Sequence, residues 1–140
     1  VISHYFAAEA LDAAHHHLDV KQELVLSFAY AFRGIFDGIK NERNMMIHYS
    51  VVVLVVVFGV TLKLTVTEWG ICLILCGMVI ALEQVNTAIE AVVDLVTEEH
   101  KELARLAKDT AAGAVLVAAI TAAIVGGLIF FPKLAQLFGL

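Results

Sequence analysis

Three long apolar segments dominate the sequence and leave few folds open to it. Residues 45–62 contain only His48 and Tyr49 as ionisable side chains, and residues 69–82 and 110–131 contain no charged residue. A helix needs about 20 apolar residues to cross the hydrocarbon core of a bilayer. The first and third segments are long enough by themselves.

The second segment becomes long enough only if its helix continues through Glu83 and Asn86 to about Val93. None of the three segments has a polar face at a period of 3.6 residues, as a helix of a water-soluble bundle would. The chain is 61% hydrophobic and 16% charged, with a mean hydropathy of +0.88, which is well above soluble domains. The sequence therefore predicts an all-α membrane protein with spans at about 45–62, 69–93 and 110–131.

The positive charges predict how these spans are oriented. Seven of the nine Lys and Arg residues precede the first span or lie between the second and third, whereas Lys63 and Lys133 lie on the other side. By the positive-inside rule, the N-terminus and the second loop are cytoplasmic and the C-terminus is outside. The net charge of −5 provides no basic stripe, so we expect the lipid bilayer and no nucleic acid as a partner.

The residues before the first span divide into two parts. Apolar residues recur at helical spacing from Leu24 to Ile39, which predicts an amphipathic helix on the membrane surface at about 24–42. Residues 1–22 are polar and rich in Ala, and they include three consecutive histidines, which point about 100° apart on a helix and so rarely share one ion. We expect 1–22 to be a solvated extension and 23–140 to be the membrane domain.

One stretch of the second span carries an unusual polar stripe. Glu83, Asn86 or Thr87, Glu90 and Asp94 follow one another at helical spacing, which places them along one face. A carboxylate in a membrane helix costs several kcal/mol on insertion scales, so three of them indicate a function. For Asp94, near the helix end, a polar contact or a position at the membrane boundary is an equal alternative.

The spacing suggests separate roles for these carboxylates. Seven residues place Glu83 and Glu90 about 10 Å apart, too far to share one metal ion. The deeper Glu83 suits a general base acting on a hydroxyl delivered from the lipid, and Glu90 suits an oxygen ligand for Mg²⁺. Lys108 and Asp109 open the third span, where a helix N-terminus and a Lys can hold phosphate. Since the sequence has no phosphate-binding glycine loop, a nucleotide site has to be built from the helices.

Four stretches together resemble a known family: SFAYAFRG at 27–34, NERN at 41–44, EQVNTAIE at 83–90 followed by Asp94, and AKDTAAGAVL at 107–116. They resemble the small integral-membrane diacylglycerol kinase and undecaprenol kinase family. The resemblance extends over about 24–133 and leaves out residues 1–22.

The resemblance implies a homotrimer of three-span protomers that transfers the γ-phosphate of Mg-ATP to a membrane lipid alcohol. It implies Glu83 as the catalytic base, Asn86 as the polar partner of that base, and Glu42 and Glu90 as the Mg²⁺ carboxylates. The positions that match nucleotide or phosphate contacts are Tyr30, Glu42, Glu90, Glu99, His100, Lys108 and Asp109.

The lipid is the part that the resemblance leaves most open. The NERN motif followed by His48, together with residues 111–114 and 131–133, is more similar to members from Gram-positive bacteria, which mostly phosphorylate undecaprenol. We therefore expect an undecaprenol kinase, with a diacylglycerol kinase that makes phosphatidic acid as the alternative. Gln84 stands where the family usually has an apolar residue, and with Thr87 it is a hydrogen-bond donor whose role stays open.

Two non-enzymatic classes compete with the kinase. A non-catalytic membrane scaffold would not need Glu42, Glu83, Glu90 and Lys108 at one cytoplasmic level. A small transporter subunit would more often have broken helices and internal repeats, which this sequence lacks. The sequence therefore favours the enzyme.

Overall fold

The computed structural model describes residues 2–41, 43–97, 99 and 101–139, with side chains from Val20 onward except at 40 and 41. The secondary structure in these ranges is helical, as predicted. The helices are α1 (Ile2–Asn41), α2 (Arg43–Thr61), α3 (Val66–Val96) and α4 (Glu102–Leu137). The last three are long and apolar enough to span a membrane, which confirms the three predicted spans.

The chain forms two compact units, Val1–Asp37 and Gly38–Leu140. In the first unit, residues 2–37 form one continuous helix, and the described side chains from Val20 onward are exposed, including Phe28 and Phe32. The predicted amphipathic surface helix and the boundary of the domain at residue 23 remain predictions.

Within the second unit, α3 packs against both α2 and α4. It contacts α4 along much of its length and α2 less extensively. Its buried residues, Cys72, Val79, Glu83 and Asn86, are spaced by seven, four and three residues, so they form one stripe. The corresponding buried residues of α4 include Ala111 and Ala118, whose small side chains allow two membrane helices to approach closely.

A tight hairpin joins α2 to α3. Lys63 adopts a left-handed conformation with φ of 52°, and the amide of Leu64 donates to the carbonyl of Gly59 at 3.0 Å, which is the bonding pattern of a Schellman motif. Thr65 then caps α3. Its hydroxyl accepts from the amide of Glu68 at 3.3 Å, and its own amide donates to the Glu68 carboxylate at 2.7 Å. These bonds satisfy backbone groups at both helix ends.

The indole of Trp69 fixes how closely the two helices approach at this hairpin. It lies so near Gly59 that a Cβ atom on this glycine would be 2.6 Å from the ring. On the same side of the molecule, the ammonium group of Lys133 near the end of α4 lies 3.1 Å from the carboxylate of Glu68. The hairpin and the end of α4 are therefore tied together.

Most of the surface of the spanning helices is apolar. Between 11% and 17% of the residues in each predicted spanning window are buried, so most of their Val, Ile, Leu and Phe side chains face outward. A soluble monomer rarely exposes an apolar surface of this extent. The exterior thus requires a hydrocarbon environment, and the chain is an integral membrane protein.

The close contact at the hairpin predicts a loss of stability for Gly59→Ala. The added methyl group has to displace the Trp69 ring, and overpacking of this kind costs about 1–3 kcal/mol. We expect the thermal unfolding midpoint in detergent to fall by several degrees. Gly126→Ala is the matched control, because nothing lies within 4 Å of a Cβ atom at that helical position. Equal midpoints for the two variants would contradict the packing described.

Candidate active site

A polar cleft with a volume of about 280 Å³ is lined by all three spanning helices. We call it the carboxylate cleft. Its polar residues come from α2 and α3, whereas α4 contributes apolar side chains. The lining consists of Asn44, Ile47 and His48 from α2, Glu83, Asn86 and Glu90 from α3, and Ala112, Val115, Leu116 and Ala119 from α4.

Glu83 is the most deeply buried carboxylate among the described residues, with 3% of its surface exposed. It belongs to the buried stripe of α3 that begins with Cys72 and Val79. The helices packed against α3, α2 and α4, therefore shield Glu83 from solvent as they shield these two apolar residues. The imidazole of His48 is nearby, with Nε2 at 3.9 Å from Oε2 of Glu83. Water therefore has little access to this carboxylate.

Asn86 and Glu90 form a second feature of the cleft, one and two helical turns from Glu83. The side-chain amide of Asn86 donates to Oε1 of Glu90 at 2.9 Å. Asn86 is 5% exposed, and its Oδ1 atom has no hydrogen-bond partner among the residues that the structure describes. The bond orients the Glu90 carboxylate, while Asn86 Oδ1 is a buried acceptor beside it that has no partner among the described residues.

An apolar cavity of about 320 Å³ adjoins the carboxylate cleft. The two share Ile47, His48 and Ala119 in their linings. The rest of the cavity is lined by Val51, Val52 and Val55 from α2, Cys72, Leu75, Cys76, Val79 and Ile80 from α3, and Ala122 and Ala123 from α4. A buried acid and a hydrocarbon-lined space therefore lie side by side, with His48 at their boundary.

A third space, of about 350 Å³, lies where α3 ends and α4 begins, and we call it the loop pocket. Ion pairs surround it: the ammonium of Lys108 bonds to Asp94 at 2.5 Å, and Arg105 bonds to Glu102 and, at 2.8 Å, to Asp109. The side chains in these pairs are 36% to 81% exposed, so each pair contributes little to stability. The loop pocket is therefore lined by charged side chains in solvent-accessible ion pairs.

The predicted site residues fall into separate groups in the structure. Glu83, Asn86 and Glu90 meet in the carboxylate cleft, and Asp94, Glu99 and Lys108 line the loop pocket. Tyr30 belongs to the first compact unit and is 62% exposed. Glu42 and His100 lie outside the described residues, so the structure leaves their predicted roles untested.

Gln84 and Thr87 are both half-buried, and neither lines the cleft or the cavity as the structure describes them. The Gln84 amide packs against Gly38, where a Cβ atom would lie 3.3 Å from its nitrogen and oxygen. Its Nε2 atom is buried without a hydrogen-bond partner among the described residues. Because Gly38 has no side chain, the polar side chain of Gln84 fits at position 84.

Sequence reasoning missed the contributions of His48, Asn44 and Arg105. The signal for Arg105 was available, because Asp109 follows it at a spacing of four residues on a helix. His48 and Asn44 lie on another helix from Glu83, so their approach depends on how α2 and α3 are aligned. No spacing within the sequence indicates that alignment.

Comparison with known proteins finds relatives for most of the chain. A sequence model of the family described as prokaryotic diacylglycerol kinase matches residues 29–130. The undecaprenol kinase of Bacillus subtilis is 46% identical over 108 residues, which is 77% of this chain and 88% of that protein.

Two further relatives are named for another lipid. The diacylglycerol kinase of Synechocystis sp. is 42% identical over 119 residues, covering 84% of this chain and 68% of that protein. The diacylglycerol kinase of Escherichia coli is 32% identical over 101 residues, covering 72% of this chain and 83% of that protein. The names of these relatives therefore divide between undecaprenol and diacylglycerol.

Proposed function

The chain belongs to the prokaryotic diacylglycerol kinase family, and on this premise we propose that it transfers the γ-phosphate of Mg-ATP to the hydroxyl group of undecaprenol. The observation that carries the proposal is the position of Glu83. This buried carboxylate lies in a polar cleft that adjoins an apolar cavity. A kinase for a lipid alcohol needs this combination, because its two substrates come from water and from the bilayer.

Glu83 acts as the general base in the proposed reaction. Its carboxylate takes the proton of the lipid hydroxyl while the oxygen forms a bond to the γ-phosphorus. The bond between that phosphorus and the bridging oxygen of ATP breaks, and ADP leaves. Positioning and electrostatic stabilisation supply most of the catalysis in phosphoryl transfer, so the fixed location of this base matters more than its strength.

The donors in the cleft fit Mg²⁺ bound together with a nucleotide. Among the described residues, no three His, Cys, Asp or Glu side chains converge on one point. Mg²⁺ bound with ATP does not need such a cage, because one or two carboxylates and phosphate oxygens suffice. Glu90 supplies one carboxylate, and the Oδ1 atom of Asn86, which has no hydrogen-bond partner among the described residues, lies beside it. The family resemblance implies Glu42 as the second carboxylate. When bound, the ion neutralises charge on the transferred phosphoryl group.

The loop pocket is the proposed location of the rest of the nucleotide. The resemblance assigns nucleotide or phosphate contacts to Tyr30, Glu99, His100, Lys108 and Asp109. Lys108 is paired with Asp94, and because both side chains are reached by solvent, a phosphate group can compete for the ammonium. Asp94 then acts as the resting partner of this lysine.

The apolar cavity supports undecaprenol over diacylglycerol. A polyprenyl chain carries no polar group besides its hydroxyl, whereas diacylglycerol has two ester carbonyls that profit from nearby donors. Apart from the imidazole of His48 and the thiols of Cys72 and Cys76, the described lining of the cavity is hydrocarbon. The relative named undecaprenol kinase is also the more similar of the first two, at 46% against 42% identity. Diacylglycerol remains the alternative substrate.

We place the protein in the bacterial inner membrane as a homotrimer, with the active site and N-terminus cytoplasmic and the C-terminus outside. The distribution of Lys and Arg supports this orientation, and the family resemblance supports the trimer. A non-catalytic scaffold is less well supported, because a buried carboxylate such as Glu83 is costly at membrane depth and a scaffold has no need of one.

The proposal predicts that Glu83→Gln reduces turnover to a small residual rate but leaves Mg-ATP binding intact. Loss of a positioned base costs about 10²–10⁴-fold in rate, and glutamine keeps the volume of the side chain. The measurement is transfer of labelled phosphate from ATP to undecaprenol, alongside nucleotide binding by equilibrium dialysis. Glu23→Gln, at an exposed position of α1, is the control and keeps full activity. Turnover by Glu83→Gln within about threefold of the wild type would remove Glu83 as the base.

A second prediction concerns the metal carboxylate. Glu90→Gln weakens nucleotide binding in a manner that depends on the Mg²⁺ concentration, because one anionic oxygen ligand is lost. Titrations of ATP at several Mg²⁺ concentrations measure this, with ADP in the absence of Mg²⁺ as the reference. If the affinity of the variant equals that of the wild type at every concentration, the metal lies elsewhere.

A third prediction addresses the lipid. Undecaprenol has a higher kcat/KM than diacylglycerol when both are assayed in the same detergent. Ala122→Phe, which narrows the apolar cavity, raises the KM for undecaprenol while the KM for Mg-ATP stays within about twofold. A higher kcat/KM for diacylglycerol would replace undecaprenol by the alternative.

A further inference from the structure

His48 occupies a position that the proposed mechanism does not yet use. It lies on α2, is 19% exposed, and contributes to both the carboxylate cleft and the apolar cavity. Its Nε2 atom is 3.9 Å from Oε2 of Glu83. The sequence separates the two residues by 35 positions, so the α2–α3 hairpin brings them together.

The surroundings leave few other groups to interact with the Glu83 carboxylate. Among the described residues, His48 is the one cationic or potentially cationic side chain within 4 Å of it. On α3, the neighbouring Asn86 already donates to Glu90, and α4 presents only apolar side chains to the cleft. On α2, the remaining polar residue of the cleft is Asn44, one turn from His48.

A carboxylate in this environment requires a partner to hold it in place. Burial of an ionised group without one costs several kcal/mol, and an unrestrained side chain would sample orientations in which its oxygens miss the substrate. The distance of 3.9 Å is an ion-pair distance that is longer than a hydrogen bond. Hydrogen bonds between catalytic groups are often long without substrate and shorten in the reactive complex.

We propose that His48 is a positioning residue for Glu83: its Nε2–H group orients the carboxylate toward the lipid hydroxyl at the boundary between cleft and cavity. The inference rests on the proposed function, because it assigns Glu83 as the base. His48 acts through Glu83 and takes no covalent part in the transfer. Because His48 lines both spaces, the residue that orients Glu83 also borders the apolar cavity proposed to hold the hydrocarbon chain of the lipid.

Two substitutions separate this role from simple packing. His48→Leu keeps an apolar side chain of similar size beside the cavity but removes the N–H donor. We expect it to lower kcat by about 10–100-fold, less than loss of the base itself, with the KM for Mg-ATP unchanged within about twofold. His48→Gln, whose amide can place a donor near the position of Nε2, recovers kcat to within about fivefold of the wild type.

A double variant tests whether His48 works through Glu83. In the Glu83→Gln background, His48→Leu causes no further loss of the residual rate, because its target is already gone. Ser50→Ala is the control on the same helix, since its exposed hydroxyl bonds only to the Met46 carbonyl among the described residues. Elution as a single species and an unchanged unfolding midpoint establish that each variant is folded.

The outcomes distinguish this inference from the proposed function. If the wild type phosphorylates neither undecaprenol nor diacylglycerol, the proposed function fails. If the wild type is active and His48→Leu keeps its kcat within about twofold, the function stands and the role of His48 is overturned. Failure of His48→Gln to recover more activity than His48→Leu also overturns it, as does a full additive loss in the double variant. If His48→Leu does not fold, His48→Gln is compared in the wild-type protein and in Glu83→Gln instead. An equal loss of rate from His48→Gln in both proteins contradicts the inference.

Discussion

The cost of keeping charged side chains at membrane depth governs the arrangement of this protein. The buried face of α3 is one continuous stripe, apolar at Cys72 and Val79 and polar at Glu83 and Asn86. The same two helices cover both halves, so the shielding that holds the helices together also removes water from the carboxylate. The polar half is stable only because its members have partners: Asn86 bonds to Glu90, and His48 lies beside Glu83. The packing of the helices and the proposed chemistry therefore use the same face of one helix.

Much of this arrangement follows from the sequence. The lengths of the apolar segments predicted the three spans, the second of them to about Val93, and α3 ends at Val96. The carboxylates at helical spacing predicted one polar stripe along this helix. The helices are longer than the spans, as in α4, which begins at Glu102 rather than near residue 110. The first turns of α4 are polar, but Arg105 pairs with Glu102 and Asp109 along them, so the helix continues into water.

The contacts between different helices could not be predicted from the sequence. The bond between Asn86 and Glu90 joins residues four apart, and spacing alone could have suggested it. The approach of His48 to Glu83 depends instead on the register of α2 against α3, which the geometry of the hairpin sets. The same holds for Gln84 and Gly38, where a polar residue fits only because the opposite position lacks a side chain. The sequence predicts which residues share a face of one helix, whereas the distance between residues on two helices is known only from the structure.

The hairpin between α2 and α3 links the proposed active site to the thickness of the bilayer. Trp69 packed on Gly59 and the capped turn between them fix the two helices at one membrane face. His48 lies about 16 Å from that fixed point along α2, and Glu83 about 21 Å along α3. A thinner or thicker bilayer changes the tilt of spanning helices, and helices pinned at one end take up that change at the other. A change in the tilt of α2 relative to α3 would alter the distance between His48 and Glu83, which is 3.9 Å here, so this distance would depend on the thickness of the surrounding bilayer.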